Sequence, residues 1–72
     1  MENYIYKRLF EKTDGILFKI NTDIQIIDID DIVEITLTQK YIELTNVLRI
    51  PKKNWKHEIE MYLELFIYKC FY

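Results

Sequence analysis

The residue types that this sequence lacks exclude several classes of function. Its 72 residues contain no serine and no alanine, and only one each of glycine, proline, cysteine, histidine and tryptophan. A serine nucleophile is therefore excluded, and a single glycine cannot build a glycine-rich phosphate loop. One cysteine and one histidine supply neither a disulfide framework nor a Cys/His zinc site. We therefore predict that the protein is not an enzyme and uses no cofactor or metal.

Apolar residues, in contrast, are abundant. Half of the residues are hydrophobic, 15% are aromatic, and isoleucine alone occurs thirteen times. A chain of this length buries only about 60% of the surface that it exposes when unfolded, so we expect one small domain over residues 1–72. With one cysteine, no signal-peptide pattern and no apolar run of about 18 residues, we expect a soluble cytoplasmic protein. The composition is typical of an AT-rich genome, such as that of a low-GC bacterium or its phage.

Charge is unevenly distributed along the chain, although the net charge is only −2. No basic residue lies between Lys19 and Lys40, and no acidic residue lies between Glu43 and Glu58. The two segments are either ordinary solvated faces or a dipolar surface that orients a partner.

Residues 4–50 predict a series of strands. The segment from Tyr4 to Phe10 is rich in β-branched and aromatic residues, and Thr13-Asp14-Gly15 predicts a hairpin turn into a return strand over 16–20. Further strands are predicted from Ile24, with a bulge at Ile26-Ile27, and over 33–38, where alternation is cleanest.

Beyond residue 38 the sequence predicts two shorter strands. A turn at 38–40 leads to a strand over 41–44, and Thr45-Asn46 predicts a turn before a strand over 47–50. Pro51 ends that strand because it cannot donate a ladder hydrogen bond.

The C-terminal segment changes to a helical period. Asn54 is a plausible N-cap, and the helix begins at Trp55. One arc faces the core; it contains Trp55, Ile59, Tyr62, Leu63, Phe66, Ile67 and Cys70. A polar arc contains His57, Glu60 and Glu64. The predicted fold class is therefore α+β: a four- to five-stranded antiparallel meander sheet packed by one C-terminal helix.

A further set of apolar residues lies outside the core-facing arc of the helix. We call it the second strip: Met61, Leu65, Tyr68 and Tyr72. Either an N-terminal strand or the chain end covers it, or it contacts a protein partner or a second copy in a homodimer. Methionine and tyrosine are enriched at such interfaces.

Other polar residues give weaker candidates. The acidic stretch from Asp28 to Asp31 fails as a calcium loop, because the positions for the turn glycine and the bidentate glutamate hold Val33 and Gln39. His57 lacks a partner for metal binding or catalysis. Cys70 lies on the buried arc, where we expect inert packing.

The junction between the last strand and the helix is basic. It carries Arg49, Lys52, Lys53 and Lys56 around Trp55, and this set could contact nucleic-acid phosphates while the indole stacks on a base. The alternative is that Trp55 packs in the core and the bases are solvated.

The order of these features resembles the short bacterial YcxB-like domain, a relative of bacterial PH-like domains. The stretches that carry the resemblance are Asp14-Gly15-Ile16-Leu17, Asp30-Asp31-Ile32-Val33-Glu34-Ile35, Thr38-Gln39-Lys40-Tyr41-Ile42-Glu43-Leu44 and Ile50-Pro51-Lys52-Lys53. The resemblance implies a curved antiparallel sheet closed by a C-terminal helix, and a binding role.

Two functions remain after these exclusions. We expect a non-enzymatic protein-interaction module, for example a small phage- or mobile-element-encoded modulator of a host protein. The alternative is a small nucleic-acid-binding regulator that uses the basic junction.

Overall fold

The computed structural model describes residues 1–14 and 21–72. Helix α1 spans Glu2–Thr13, and strands β1, β2 and β3 span Thr22–Ile29, Ile32–Gln39 and Leu44–Pro51. A short 3-10 turn over Lys52–Asn54 leads into helix α2 at Trp55–Phe71. The fold is α+β, as predicted, with an antiparallel sheet in the order β1-β2-β3 and a C-terminal helix.

The prediction of four to five strands is not supported. The described residues form three strands, and the return strand predicted over 16–20 lies outside them. The segment predicted as the first strand, Tyr4 to Phe10, lies within α1. Ile5 and Leu9 are fully buried and four residues apart, so a helical stripe outweighs the β-favouring composition of this segment.

The predicted hairpin turn at Thr13-Asp14-Gly15 is also wrong at Thr13 and Asp14, the two of its residues that the structure describes. Asp14 is the C-cap of α1 in the left-handed conformation, with φ of 52°, and its N–H donates to the Phe10 carbonyl over 2.8 Å. Aspartate tolerates this conformation better than most residues. The turn-forming residues therefore end a helix.

Strand β1 runs without the predicted bulge. Its residues pair in unbroken register with β2, from Thr22 opposite Gln39 to Ile29 opposite Ile32. Asp30 has φ of 52° in the two-residue turn that follows. The consecutive isoleucines Ile26 and Ile27 therefore lie on opposite faces of one regular strand.

Strand β3 joins residues that the sequence divided between two strands. Residues 40–43 form the turn, and Thr45 and Asn46 pair with Thr38 and Leu37 of β2. The Thr38 and Thr45 hydroxyls lie 3.3 Å apart in a cross-strand hydrogen bond. The prediction that Pro51 ends this strand is confirmed.

Both helices cover the same face of the sheet, with α1 over β1 and α2 over β3. The alternating residues Val33, Ile35 and Leu37 of β2 point into this layer and are fully buried, as predicted. They meet Ile5 and Leu9 of α1 in one core. The remaining core residues are Ile24, Leu48, Ile50, Ile59, Leu63 and Phe66.

Candidate interaction surface

Helix α2 is fixed by its inner face. Ile59, Leu63 and Phe66 are fully buried, and the other four members of the predicted stripe are partly buried against the core. Asn54 occupies the predicted N-cap position, although its side chain makes no capping hydrogen bond. Helical hydrogen bonding continues to the chain end, where the Tyr72 N–H donates to the Tyr68 carbonyl over 2.9 Å.

The polar arc of α2 faces α1. Arg8 Nε donates to Glu60 Oε1 over 2.7 Å, and Lys12 Nζ lies 2.9 Å from Glu60 Oε2. The Tyr4 hydroxyl donates to Glu60 over 3.2 Å, and Lys12 also pairs with Glu64 over 3.1 Å. The sequence placed Glu60 opposite the core but gave it no partner, because it predicted a strand where α1 lies.

These contacts change the titration of the groups involved. Hydrogen bonding from Arg8, opposed by desolvation and reinforced by Lys12, lowers the pKa of Glu60 from 4.5 to about 2. The hydrogen bond to Glu60 in turn raises the pKa of Lys12. Desolvation, with the same carboxylate, raises the pKa of the Tyr4 hydroxyl. The charged form of Glu60 is therefore the one that joins the two helices.

The second strip lies on the side of α2 that faces away from the sheet. Its side chains are 57% exposed at Met61, 51% at Leu65, 63% at Tyr68 and 90% at Tyr72. The Tyr68 and Tyr72 rings stack with their centroids 5.0 Å apart. At 1.5 Å per residue the strip extends for about 16 Å along the helix. Within residues 1–14 no strand covers it, because this segment forms α1, which packs on the polar arc instead.

The four basic junction residues do not share one face. Arg49 lies on the outer sheet face, where its Nε is 3.0 Å from Glu34 Oε2, and Lys52 pairs with Asp28 over 3.2 Å. Lys53 is exposed. Acidic residues of β1 and β2 therefore neutralise two of the four bases, so the unevenness of charge along the chain is reduced in the fold.

The fourth base, Lys56, lies on the helical side of the sheet. Its Nζ is 5.1 Å from the centre of the Tyr4 ring and 5.8 Å from that of Trp55. The Trp55 and Tyr4 rings meet edge to face at 5.3 Å, and Trp55 packs partly buried against the core. This indole is therefore a packing group.

The remaining chemical candidates are dispersed. Among the residues that the structure describes, no three His, Cys, Asp or Glu side chains group in a way that could hold a metal ion. Cys70 packs against the core, and burial raises the pKa of its thiol. His57 is exposed on α2.

The sequence reasoning missed one apolar surface. Ile27, Ile29, Ile32 and Val47 are about half exposed on the outer face of the sheet. The two consecutive isoleucines were the available signal, since a strand that is apolar at successive positions has an apolar side chain on each face. The Glu34–Arg49 pair interrupts this surface between Ile27 and Val47.

Comparison with known proteins gives no relative. No family model, curated protein or solved structure matches the chain. No helix in the described part of the chain is long and apolar enough to cross a membrane.

Proposed function

We propose that this protein is a non-enzymatic interaction module that binds another protein surface through the second strip. The observation that carries the proposal is the exposure of four large apolar side chains on the outward face of an otherwise well-packed helix. Contiguous exposed apolar surface of this kind is typical of binding sites. Tyrosine contributes large contact area at low entropic cost, which suits Tyr68 and Tyr72 to this role.

The second strip is a better interface than the apolar surface on the sheet. A charged pair, Glu34–Arg49, lies within the sheet surface, and its burial beneath a partner would require desolvation of both ions. The second strip contains only apolar and tyrosine side chains, and its charged neighbours lie at the sides. That arrangement matches an apolar interface centre with a polar rim.

The test is capture of partners from the native host by tagged protein, with identification by mass spectrometry. The double variant Leu65→Glu/Tyr68→Glu should lose the captured partner while keeping the circular-dichroism spectrum of the wild type. The matched control Ile27→Glu/Val47→Glu changes equally exposed residues on the sheet and should retain it. If only the sheet variant lost the captured partner, the result would contradict the proposal.

Nucleic-acid binding through Arg49, Lys52, Lys53 and Lys56 is the second candidate. The observation in its favour is that Lys53, just before α2, and Lys56, in its first turn, are both exposed. Binding of this kind weakens steeply with salt. We expect Lys53→Glu/Lys56→Glu to abolish it, and absence of any shift with duplex or single-stranded DNA or RNA at ~50 mM salt would dismiss the candidate.

A further inference from the structure

The second strip has the spacing of a coiled-coil seam. Its members lie four, three and four residues apart, at Met61, Leu65, Tyr68 and Tyr72. Apolar residues that alternate at intervals of three and four occupy the a and d positions of heptads, where two helices pack side by side. Leu65 and Tyr72 take the a positions and Met61 and Tyr68 the d positions. Glu58 occupies the preceding a position, so the seam begins at Met61.

The chain itself can provide the complementary surface. The strip lies on the side of α2 opposite the sheet, so a second copy can place its own α2 against it without contact between the two sheets. A twofold axis then sets each seam residue against its counterpart, which requires a surface that is self-complementary. We propose that two copies of the protein pair through their second strips, with the two α2 helices parallel. This inference rests on the proposed function and names its partner.

Charge at the sides of the seam favours the parallel orientation. Glu64 precedes Leu65 at a g position, and Lys69 follows Tyr68 at an e position. In a parallel pair, the g residue of one helix lies beside the e residue five positions later on the other, which brings Glu64 to Lys69 twice. In an antiparallel pair g faces g and e faces e, so neither side brings these two charges together. Glu64 is well exposed, and its Oε1 also pairs with Lys12 of its own chain over 3.1 Å.

The length of the seam sets the strength of the dimer. Two heptads are fewer than the three to four that mark a self-sufficient coiled coil. A contact about 16 Å long also buries less than the roughly 800 Å² per partner of a standard interface. We therefore expect a dimer with a dissociation constant in the micromolar range, which dissociates on dilution.

Sedimentation velocity from ~1 µM to ~1 mM tests the assembly. The wild type should pass from monomer to dimer, and Leu65→Glu/Tyr68→Glu should stay monomeric. Glu64→Lys and Lys69→Glu should each weaken the dimer about two- to tenfold, and the two together should restore it. Lys12→Gln frees Glu64 from its partner within its own chain and should not weaken the dimer. A wild type that stays monomeric throughout, or a dimer that is insensitive to the charge reversals, would overturn the proposal.

Cross-linking tests the orientation. In a Cys70→Ser background, Met61→Cys places one thiol in the seam, and the parallel pair sets it against its own copy. In an antiparallel pair with the same seam, position 61 of each copy lies against Tyr72 of the other. The two introduced thiols are then too far apart to form a disulfide. We expect rapid disulfide dimers from Met61→Cys and none from Asn3→Cys on the outer face of α1. A dimer that gives no Met61→Cys cross-link refutes the parallel arrangement.

The two proposals can fail separately. If the wild type is monomeric while Leu65→Glu/Tyr68→Glu still loses the partner captured from the host, the interaction function stands and its partner is a different protein. If the protein dimerises as described and captures no partner that the Leu65→Glu/Tyr68→Glu variant loses, dimerisation is the role of the second strip.

Discussion

Helices α1 and α2 lie side by side on the same sheet face, but their outward faces differ in composition. The outward face of α1 carries Asn3, Lys7 and Glu11, all exposed, which is the ordinary pattern of a surface helix. The outward face of α2 carries Met61, Leu65 and Tyr68, which are also exposed. Both helices bury an apolar stripe, so folding accounts for the inner faces and leaves the outer face of α2 unexplained.

This difference shows that the apolar residues have two roles, core packing and surface exposure, which the composition alone does not distinguish. Ile5 and Leu9 of α1 and Leu63 of α2 are fully buried and stabilise the fold by removing apolar surface from water. The second strip buries little surface in the single chain. Half of the sequence is hydrophobic, and part of that fraction is therefore available for association.

The largest expected effect is a difference in stability between substitutions on the buried and the exposed face of α2. Leu63→Ala removes a fully buried side chain and should lower the free energy of unfolding by about 2–5 kcal/mol. Leu65→Ala makes the same chemical change two residues later, on the exposed face. It should change the free energy of unfolding of the monomer by less than about 0.5 kcal/mol.

Urea denaturation at low micromolar concentration measures both variants, because the monomer then predominates. At high concentration the Leu65→Ala variant should fall further below the wild type, since dimerisation stabilises the native state by mass action. Equal losses in the two variants at low concentration would show that the second strip is part of the core.

The contact between the two helices gives a smaller effect with a defined pH dependence. Glu60 has a pKa of about 2 in the fold against an ordinary 4.5, so its contribution is complete above about pH 5 and lost as the pH falls toward 2. Glu60→Gln should lower stability at pH 7 by about 1 kcal/mol, since the charged hydrogen bonds are partly exposed.

The measurement is the midpoint of urea unfolding between pH 7 and pH 2. The wild type should lose stability through this range, and Glu60→Gln should show a flatter curve that meets it near pH 2. Glu64→Gln is the control, because that carboxylate is mostly exposed and pairs only with Lys12 in the described contacts. A steeper curve for Glu60→Gln than for the wild type would contradict the assignment.

The elements with clean periodicity could be predicted from the sequence. In β2, Val33, Ile35 and Leu37 alternate with polar residues, and all three are buried as expected. In α2 the stripe through Ile59 and Leu63 repeats at helical spacing over about four turns, so its start and inner face are confirmed. A long repeat is informative because each further residue constrains the same face.

The remainder could not be predicted, because short segments gave conflicting signals. In α1, tyrosine and isoleucine favour a strand, while only two buried residues mark a helix, and the sheet that buries them is formed later in the chain. At Thr45-Asn46, polar residues predicted a turn, but pairing with β2 holds them in a strand. The second strip was identified from the sequence. Whether it is exposed depends on where α1 packs, and only the folded structure shows that position.

The smallest expected effect concerns how α1 ends. Asp14 adopts the left-handed conformation as C-cap, with φ of 52°, at the helix end where a negative charge is unfavourable. Asp14→Gly relieves the backbone strain and removes the charge, so it should stabilise the protein by about 0.5 kcal/mol. Asp14→Ala removes the same charge but strains the backbone, and should destabilise it by up to about 1 kcal/mol. Thermal unfolding of the two variants should therefore show midpoint shifts of opposite sign, whereas equal shifts would mean that charge alone matters.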